Sequence, residues 1–327
     1  RRHKGYTIPS LSSPLGGVRW TDIAEEFLKA TDKARKGDKR GLKKFINTRL
    51  AEAFEEQGTQ VELEYLEKRR EYYEADVPEG VLVLVAGVDT QDNRLEAFIV
   101  GFGVGKESWA IEYRQLMGDT TQEDVWNQLD ELLNRKWAFK DGREIGLSCV
   151  CIDSGGHATG QVYKYVKNKE HRRIFAVKGR GGDGIPLVGK YTRSNKANVA
   201  LFPVGDDEGK TLVLSRLMVD HEGENYCHFP RNKEKGFDTE YFKGLVSEKK
   251  VKKYVKGHLK YEWIKEPGVP NEALDCYKYS LAALEILNPN FEILKRYFEE
   301  NRDFYKHDMA TRGTSGGRKK IISRGIN

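Results

Sequence analysis

Residues 81–88 (VLVLVAGV) carry no charge and, apart from Gly87, consist of Val, Leu and Ala. Such a run predicts a strand buried on both faces, at the centre of a sheet. It ends at Asp89 and is followed by the polar turn Thr90-Gln91-Asp92-Asn93. Residues 94–104 and 107–116, joined through Gly105-Lys106, predict an antiparallel hairpin, which makes three consecutive strands. Val125, Leu129, Leu132 and Leu133 fall on one side of an amphipathic helix over 121–137, with Thr120 or Thr121 as its cap. A second buried strand, 147–153 (LSCVCID), again ends in Asp. A helix over about 157–169, a strand over 173–179 and the Gly-rich loop GRGGDG follow. The string β-β-β-α-β-α-β predicts an α/β fold, a mixed sheet covered by helices on both faces.

The flanking stretches read differently. Residues 1–20 are irregular, and helical spacing follows over roughly 20–37 and 38–54, then a charged stretch, VELEYLEKRREYY. Residues 1–78 therefore predict a mainly helical arm without a core of its own, and the missing initial Met predicts a fragment or processed product. Residues 190–235 read as a β-rich insertion built from VALFPV, TLVLSRLMV and YCHFP. A short helix over 238–247 precedes a basic, aromatic hairpin turning at Gly257-His258. A helix over 271–287 follows, with Asn271 as cap. The boundaries expected are an arm over 1–78, a main domain over 79–290, and a C-terminal helix with a basic, disordered tail over 291–327.

The 327 residues are 38% hydrophobic and 32% charged, with a formal net charge of +6. No apolar run approaches the ~18 residues of a membrane span, so a membrane is not an expected partner. Basic residues crowd 33–44, 164–180, 243–260 and 312–324, which together point to a polyanionic partner. Cys149, Cys151, Cys227 and Cys276 form no C-x-x-C pair, so they predict reduced, buried thiols and no zinc site.

The candidate chemistry lies in three acids: Asp89 and Asp153, each ending a buried strand, and Asp275 in the first turn of the late helix. The two strands are expected to be parallel neighbours, so both acids project from one edge, and a helix packed on the sheet brings Asp275 beside them. Each acid also has a plain structural reading. Asp89 and Asp153 can cap turns, and Asp275 can serve a helix dipole for about 0.3–1 kcal/mol. Three carboxylates together repel and raise one another's pKa. Hard cations with oxygen ligands resolve that conflict, which predicts Mg²⁺ or Mn²⁺. Two such ions ~3.5–4 Å apart serve phosphodiester hydrolysis. Asp92 and Glu96 are additional candidate ligands, and His157 is a candidate for proton transfer or phosphate contact, though a lone His is more often structural. For DNA contact the candidates are Lys178 and Arg180 by the Gly-rich loop, and Lys249, Lys250, Lys252, Lys253 and Lys256 in the basic hairpin.

GVDTQDNRLE, ESWAIEYR, VCIDSGGHAT, FAVKGRGG, LFPVG and NEALDC, in this order, resemble the nuclease domain of the large terminase subunit of tailed bacteriophages, the lambda-type family. The likeness covers about residues 80–288. It implies a ribonuclease H-like fold and metal-dependent cutting of concatemeric viral DNA during genome packaging in the host cytoplasm. The family's three acids carry over onto Asp89, Asp153 and Asp275. Double-stranded DNA, the terminase small subunit and the portal protein are the implied partners. Residues 1–78 look similar to the segment linking that family's packaging ATPase to its nuclease. The chain has no G-x-x-x-x-G-K-[ST] phosphate loop, and GFGVGKES has the wrong glycine spacing, so cutting without translocation is expected. The alternatives are another ribonuclease H-like nuclease of resolvase or transposase type, and a non-catalytic module docking on DNA or portal.

Overall fold

The computed structural model describes residues 9–12, 19–36, 38, 40–52, 54, 61–182, 184–194, 197–255 and 258–312; for 11, 252–255, 258–260 and 302–312 it describes the backbone alone. In chain order the arm contributes α1 (Trp20–Arg35), α2 (Arg40–Phe45) with a π-helical extension Ile46–Leu50, α3 (Leu63–Lys68) and β1 (Arg70–Glu71). Strands β2 (Val83–Thr90), β3 (Arg94–Phe102) and β4 (Ser108–Met117) follow, then α4 (Glu123–Asn134), β5 (Lys136–Ala138) and β6 (Glu144–Asp153). Next come α5 (Thr159–Val166), β7 (Ile174–Arg180), β8 (Thr192–Arg193), β9 (Ala200–Gly205), α6 (Asp206–Leu217) and β10 (Cys227–Pro230). The chain continues with α7 (Thr239–Leu245), the hairpin β11 (Glu248–Val255) and β12 (His258–Lys265), α8 (Glu272–Leu287) and α9 (Phe291–Arg312).

The main sheet runs β1-β10-β4-β3-β2-β6-β7-β9-β8, with β5 pairing off β6. Strands β2, β3 and β4 form the expected meander, and β2 pairs in parallel with β6. The central order β4-β3-β2-β6-β7 is that of a ribonuclease H-like sheet. β6, β7 and β9 continue in parallel, so β2, β6, β7 and β9 all present their carboxyl ends at one edge.

All eight residues of β2 are buried. Alternation sends them to two cores. Val83 and Val85 join Cys149, Cys151 and Val177 against α6, α7 and α8. Leu84, Ala86 and Val88 join Val150 and Ile152 against Val125, Leu129 and Leu133 of α4 and Val162 of α5. Each fully buried aliphatic side chain contributes about 1.5–3 kcal/mol, which is why this stretch is the centre of the fold. Helix α8 is buried over most of its circumference, as its apolar sequence requires. The four cysteines are free and buried. Val61, just before α3, and Leu66, within it, bury into the α8-side core.

The insertion differs from its sequence pattern at TLVLSRLMV. Residues 206–217 are helix, with Gly209 buried and its last turn, Val213, Leu214, Ser215, Arg216 and Leu217, buried all round. Asp206, Asp207 and Glu208 occupy its first turn, where acids complement the helix dipole. The short apolar run fits either period, and the three acids ahead of it settle the choice. Helix α4 starts at Glu123 without a side-chain cap. Thr120 instead donates to the Gln91 and Asp92 carbonyls and fastens the turn after β2. The expected disordered tail, apart from the end of α9, lies outside the described residues.

Candidate active site

Asp89 is the penultimate residue of β2 and Asp153 the last of β6. Val88 pairs with Ile152, so the two acids stand side by side in register and on the same face. That face carries α8. Asn271 precedes its first turn and Asp275 lies within it. The three acids expected from sequence are thus brought to one edge. A fourth, Asp206, starts α6 directly after β9, at the same edge.

The electrostatics of the edge follow from burial and like charge. Asp89 is 4% exposed. Burial first, then the charges of Asp275, Asp153 and Glu272, push its pKa up to about 8, against the bond it accepts from Gln91 Nε2 at 2.5 Å. Burial also raises Asp153, opposed mainly by the Lys278 charge. Lys278 is buried beside them and donates to Asp275 Oδ1 at 2.7 Å and Asp206 Oδ1 at 2.6 Å. Burial works against its charge, but Asp275 and Asp206 outweigh that and raise its pKa.

Neighbouring side chains fix the acids. Asn271 Nδ2 donates to Asp275 Oδ2 at 3.1 Å and to Glu248 Oε1 at 2.8 Å. The expected cap residue therefore ties the base of the β11–β12 hairpin to the third acid. Thr90 Oγ1 donates to the Asp153 carbonyl at 3.0 Å, which holds the two strand ends together. Glu96 lies opposite Asp89 in β3. Its carboxylate is engaged by Arg94 at 2.5 Å and by the Tyr113 hydroxyl, which makes it a bracing group of the edge. Asp92 and His157 face each other at 3.3 Å in solvent, 75% and 92% exposed.

The DNA-contact candidates divide. Val177 faces the α8-side core while Ile174 and Ala176 face the other. Alternation therefore puts Lys178 and Arg180, both exposed, on the opposite face of this edge from Asp153. Lys249 is exposed, and Lys250 lies 5.4 Å from the Tyr261 ring centre. The side chains of Lys252 and Lys253, and all of Lys256, lie outside the described residues.

The donor set at the edge fits a hard divalent cation. It is all carboxylate oxygen, negative charge is in excess, and two buried oxygens, Asp153 Oδ1 and Glu272 Oε2, find no partner among the described residues. The edge acids are nevertheless more widely set than one cluster elsewhere. Among the described residues, only Glu71, Glu222 and His228 bring three ligand-type atoms within 4.8 Å of one another. That cluster lies at the other end of the sheet, since His228 pairs with Trp109 and Trp109 is level with Leu84 at the start of β2.

Asp206, Glu272 and Lys278 escaped the sequence reading. Asp206 carried a signal: LFPVGD repeats the pattern of a strand ending in Asp. Lys278 stands three residues after Asp275, on the same helix face, in an otherwise apolar stretch.

Comparison with known proteins identifies the family. Residues 3–296 match the family described as terminase large subunit gpA, endonuclease domain. The terminase large subunit of Escherichia phage lambda is 34% identical over 272 residues, which are 82% of this chain and 41% of that protein. The large subunit of Enterobacteria phage P21 is 31% identical over 314 residues, 94% of this chain and 47% of that protein. The chain thus spans less than half the length of these relatives. A structure of the nuclease domain of the large terminase subunit gp2 of bacterial virus Sf6, determined with manganese, is 13% identical, covers 67% of this chain and 96% of that one, and gives a TM-score of 0.38. The extent of the family match and the identity to the two phage subunits show that this chain belongs to the gpA-type terminase large subunit family, in its endonuclease domain.

Proposed function

We propose that this chain is a divalent-metal-dependent endonuclease that cuts double-stranded DNA, with Asp89, Asp153 and Asp275 as the metal ligands. The observation that carries the reading is Asp89. It is a nearly fully buried carboxyl, pushed up to about pKa 8 among further acids at the carboxyl edge of a central sheet. Such repulsion adds nothing to stability, and a cation bound at this edge would relieve it.

Asp89, Asp153 and Asp275 would together hold a pair of Mg²⁺ or Mn²⁺ ions in this reading. What the ions supply is activation of water and neutralisation of charge on the leaving oxygen. The chain's own residues orient and brace the ligands. Gln91 aims one oxygen of Asp89, Asn271 aims Oδ2 of Asp275, and Thr90 locks β2 to β6. Arg94 spans Glu96 and Glu272, at 2.5 and 2.9 Å, and screens two acids flanking Asp89. The β11–β12 hairpin, anchored at Asn271, stands beside the third acid and offers Lys249 and Lys250 to a phosphate backbone. Residues 79–290 form the nuclease body in this reading and 1–78 an arm leading into it. Membership of the terminase family favours concatemeric viral DNA as substrate, in the host cytoplasm, with small subunit and portal as partners.

Supercoiled plasmid incubated with Mn²⁺, Mg²⁺ or EDTA tests the proposal, using wild type and Asp153→Ala. Metal-dependent cutting that disappears in the variant is expected. Cutting that persists in EDTA, or in Asp153→Ala, would refute it. Preference for branched over linear duplex would move the reading to a resolvase-type nuclease.

A further inference from the structure

Lys278 occupies the middle of the acidic edge. Its side chain is 2% exposed, and its Nζ lies 2.6 Å from Asp206 Oδ1 and 2.7 Å from Asp275 Oδ1. Its position is imposed by packing. Helix α6 meets α8 at Gly209, where a Cβ would sit 2.5 Å from Lys278 Cγ. The aliphatic stem is therefore held against the α6 backbone, and the ammonium is confined to the space between the two carboxylates. Asp206 is placed by a separate element, the end of β9, which is three strands away from β2.

This arrangement raises a conflict with cation binding. Asp275 is a metal ligand in the proposed function, on which this inference rests. An ammonium bonded to Asp275 and a dication bound to the same carboxylate repel each other and compete for its oxygens. The second carboxylate offers a resolution, because an ammonium that gives up Asp275 still has a charged partner.

We propose that Lys278 is the resident cation of the metal-free centre and that Asp206 is its positioning residue, which retains the ammonium when a divalent ion takes Asp275. Asp206 does not ligate the ion. It lowers the cost of metal entry by giving Lys278 a place to stay. Without Asp206 the ammonium has Asp275 as its carboxylate partner and resists displacement.

The test is Mn²⁺ binding to the DNA-free chain by calorimetry, with the Mn²⁺-induced rise in Tm as a second readout. Asp206→Asn is expected to weaken Mn²⁺ binding about tenfold, the scale of a lost supporting partner in a metal site. Lys278→Met is expected to bind Mn²⁺ more tightly than wild type, and Asp206→Asn/Lys278→Met to recover the affinity of Lys278→Met. Lys278→Gln, polar but uncharged, carries the same expectations if the Met variant does not fold. A double variant as weak as Asp206→Asn would make Asp206 a ligand and overturn the proposal. So would unchanged binding in Asp206→Asn. Mn²⁺ binding that survives Asp275→Asn would overturn the metal reading together with this one. Binding lost in Asp275→Asn but indifferent to Asp206→Asn would overturn this one alone.

Discussion

Gly87 of β2 lies directly against Cys276 of α8: a Cβ on the glycine would sit 2.0 Å from the Cys276 carbonyl oxygen and 2.5 Å from the Ser280 amide nitrogen. No side chain fits there, so the helix rests on the strand backbone. Asp89 is two residues beyond Gly87 and Asp275 one residue before Cys276. The approach that the missing Cβ permits is thus what sets these acids beside each other. Gly87→Ala is expected to cost about 1–3 kcal/mol, the range for forcing atoms into a packed core. It should also weaken Mn²⁺ binding, because α8 must retreat from the strand. Urea unfolding and Mn²⁺ titration of the variant check both effects; a variant unchanged in either would contradict this account.

Asp89 makes the metal-free chain sensitive to pH. Its folded pKa is about 8, whereas an unfolded Asp ionises at about 3.9. Between these values the folded chain keeps a proton that the unfolded chain has lost. The group's contribution to stability is therefore complete below about pH 4 and falls as pH rises through about 8. Asp89→Asn removes the titration. In EDTA the variant should be more stable than wild type, by a margin that widens from pH 5 to pH 8, while plasmid cleavage is abolished. Equal pH profiles for the two proteins would show that Asp89 ionises normally.

The contact between the arm and β10 adds a pH dependence of the same sense. His228 stacks on Trp109 and meets Glu71 of β1 at 2.9 Å and Glu107 at 3.0 Å, with Glu222 close by. Burial lowers its pKa, but the Glu71 and Glu107 partners outweigh that and raise it. A raised folded pKa contributes stability that is complete below about pH 6.5 and is lost as pH climbs through the folded value. His228→Gln should therefore destabilise more at pH 5.5 than at pH 9. The low-pH cost should approach the 1.5–3 kcal/mol (about) of a charged hydrogen bond. Unfolding curves at the two pH values decide the matter, and an equal cost at both would exclude the charged clamp.

The DNA contact expected of Lys178 and Arg180 can be tested apart from metal binding. They end β7 at the acidic edge but face away from the acids. Lys178→Ala/Arg180→Ala should weaken duplex binding in EDTA and lower the slope of log K against log salt by about 2, as two phosphate contacts require. Mn²⁺ affinity should not move. A salt slope equal to that of wild type would place the DNA track elsewhere, on the β11–β12 hairpin.

Much of this was legible in the chain itself. The uncharged run 81–88 can be satisfied only by burial on both faces, which made it the central strand. The acid ending each of two such strands pointed to Asp89 and Asp153, because parallel strands share an edge. Asp275 was legible from its place in the first turn of a strongly apolar helix. TLVLSRLMV was misread because a short run of Val, Leu and Thr satisfies either period, whereas Asp206 was missed although the strand before it, VALFPV, was read. Asn271 has the residue type and position of a helix cap, yet its amide is spent on Glu248 and Asp275, a choice made by where the hairpin lands.

The sequence by itself determined most of the elements, the two-faced burial of the central strand and the acids that end β2 and β6, because periodicity and desolvation act locally along a chain. Only the tertiary structure decided that Lys278 and Asp206 join those acids, that Lys178 and Arg180 face away from them, and that Glu96 is occupied by Arg94 and Tyr113. These relations depend on how close α8 comes to β2 and which face each strand turns to it. Such distances are set by packing between residues up to about two hundred positions apart, which no local pattern encodes.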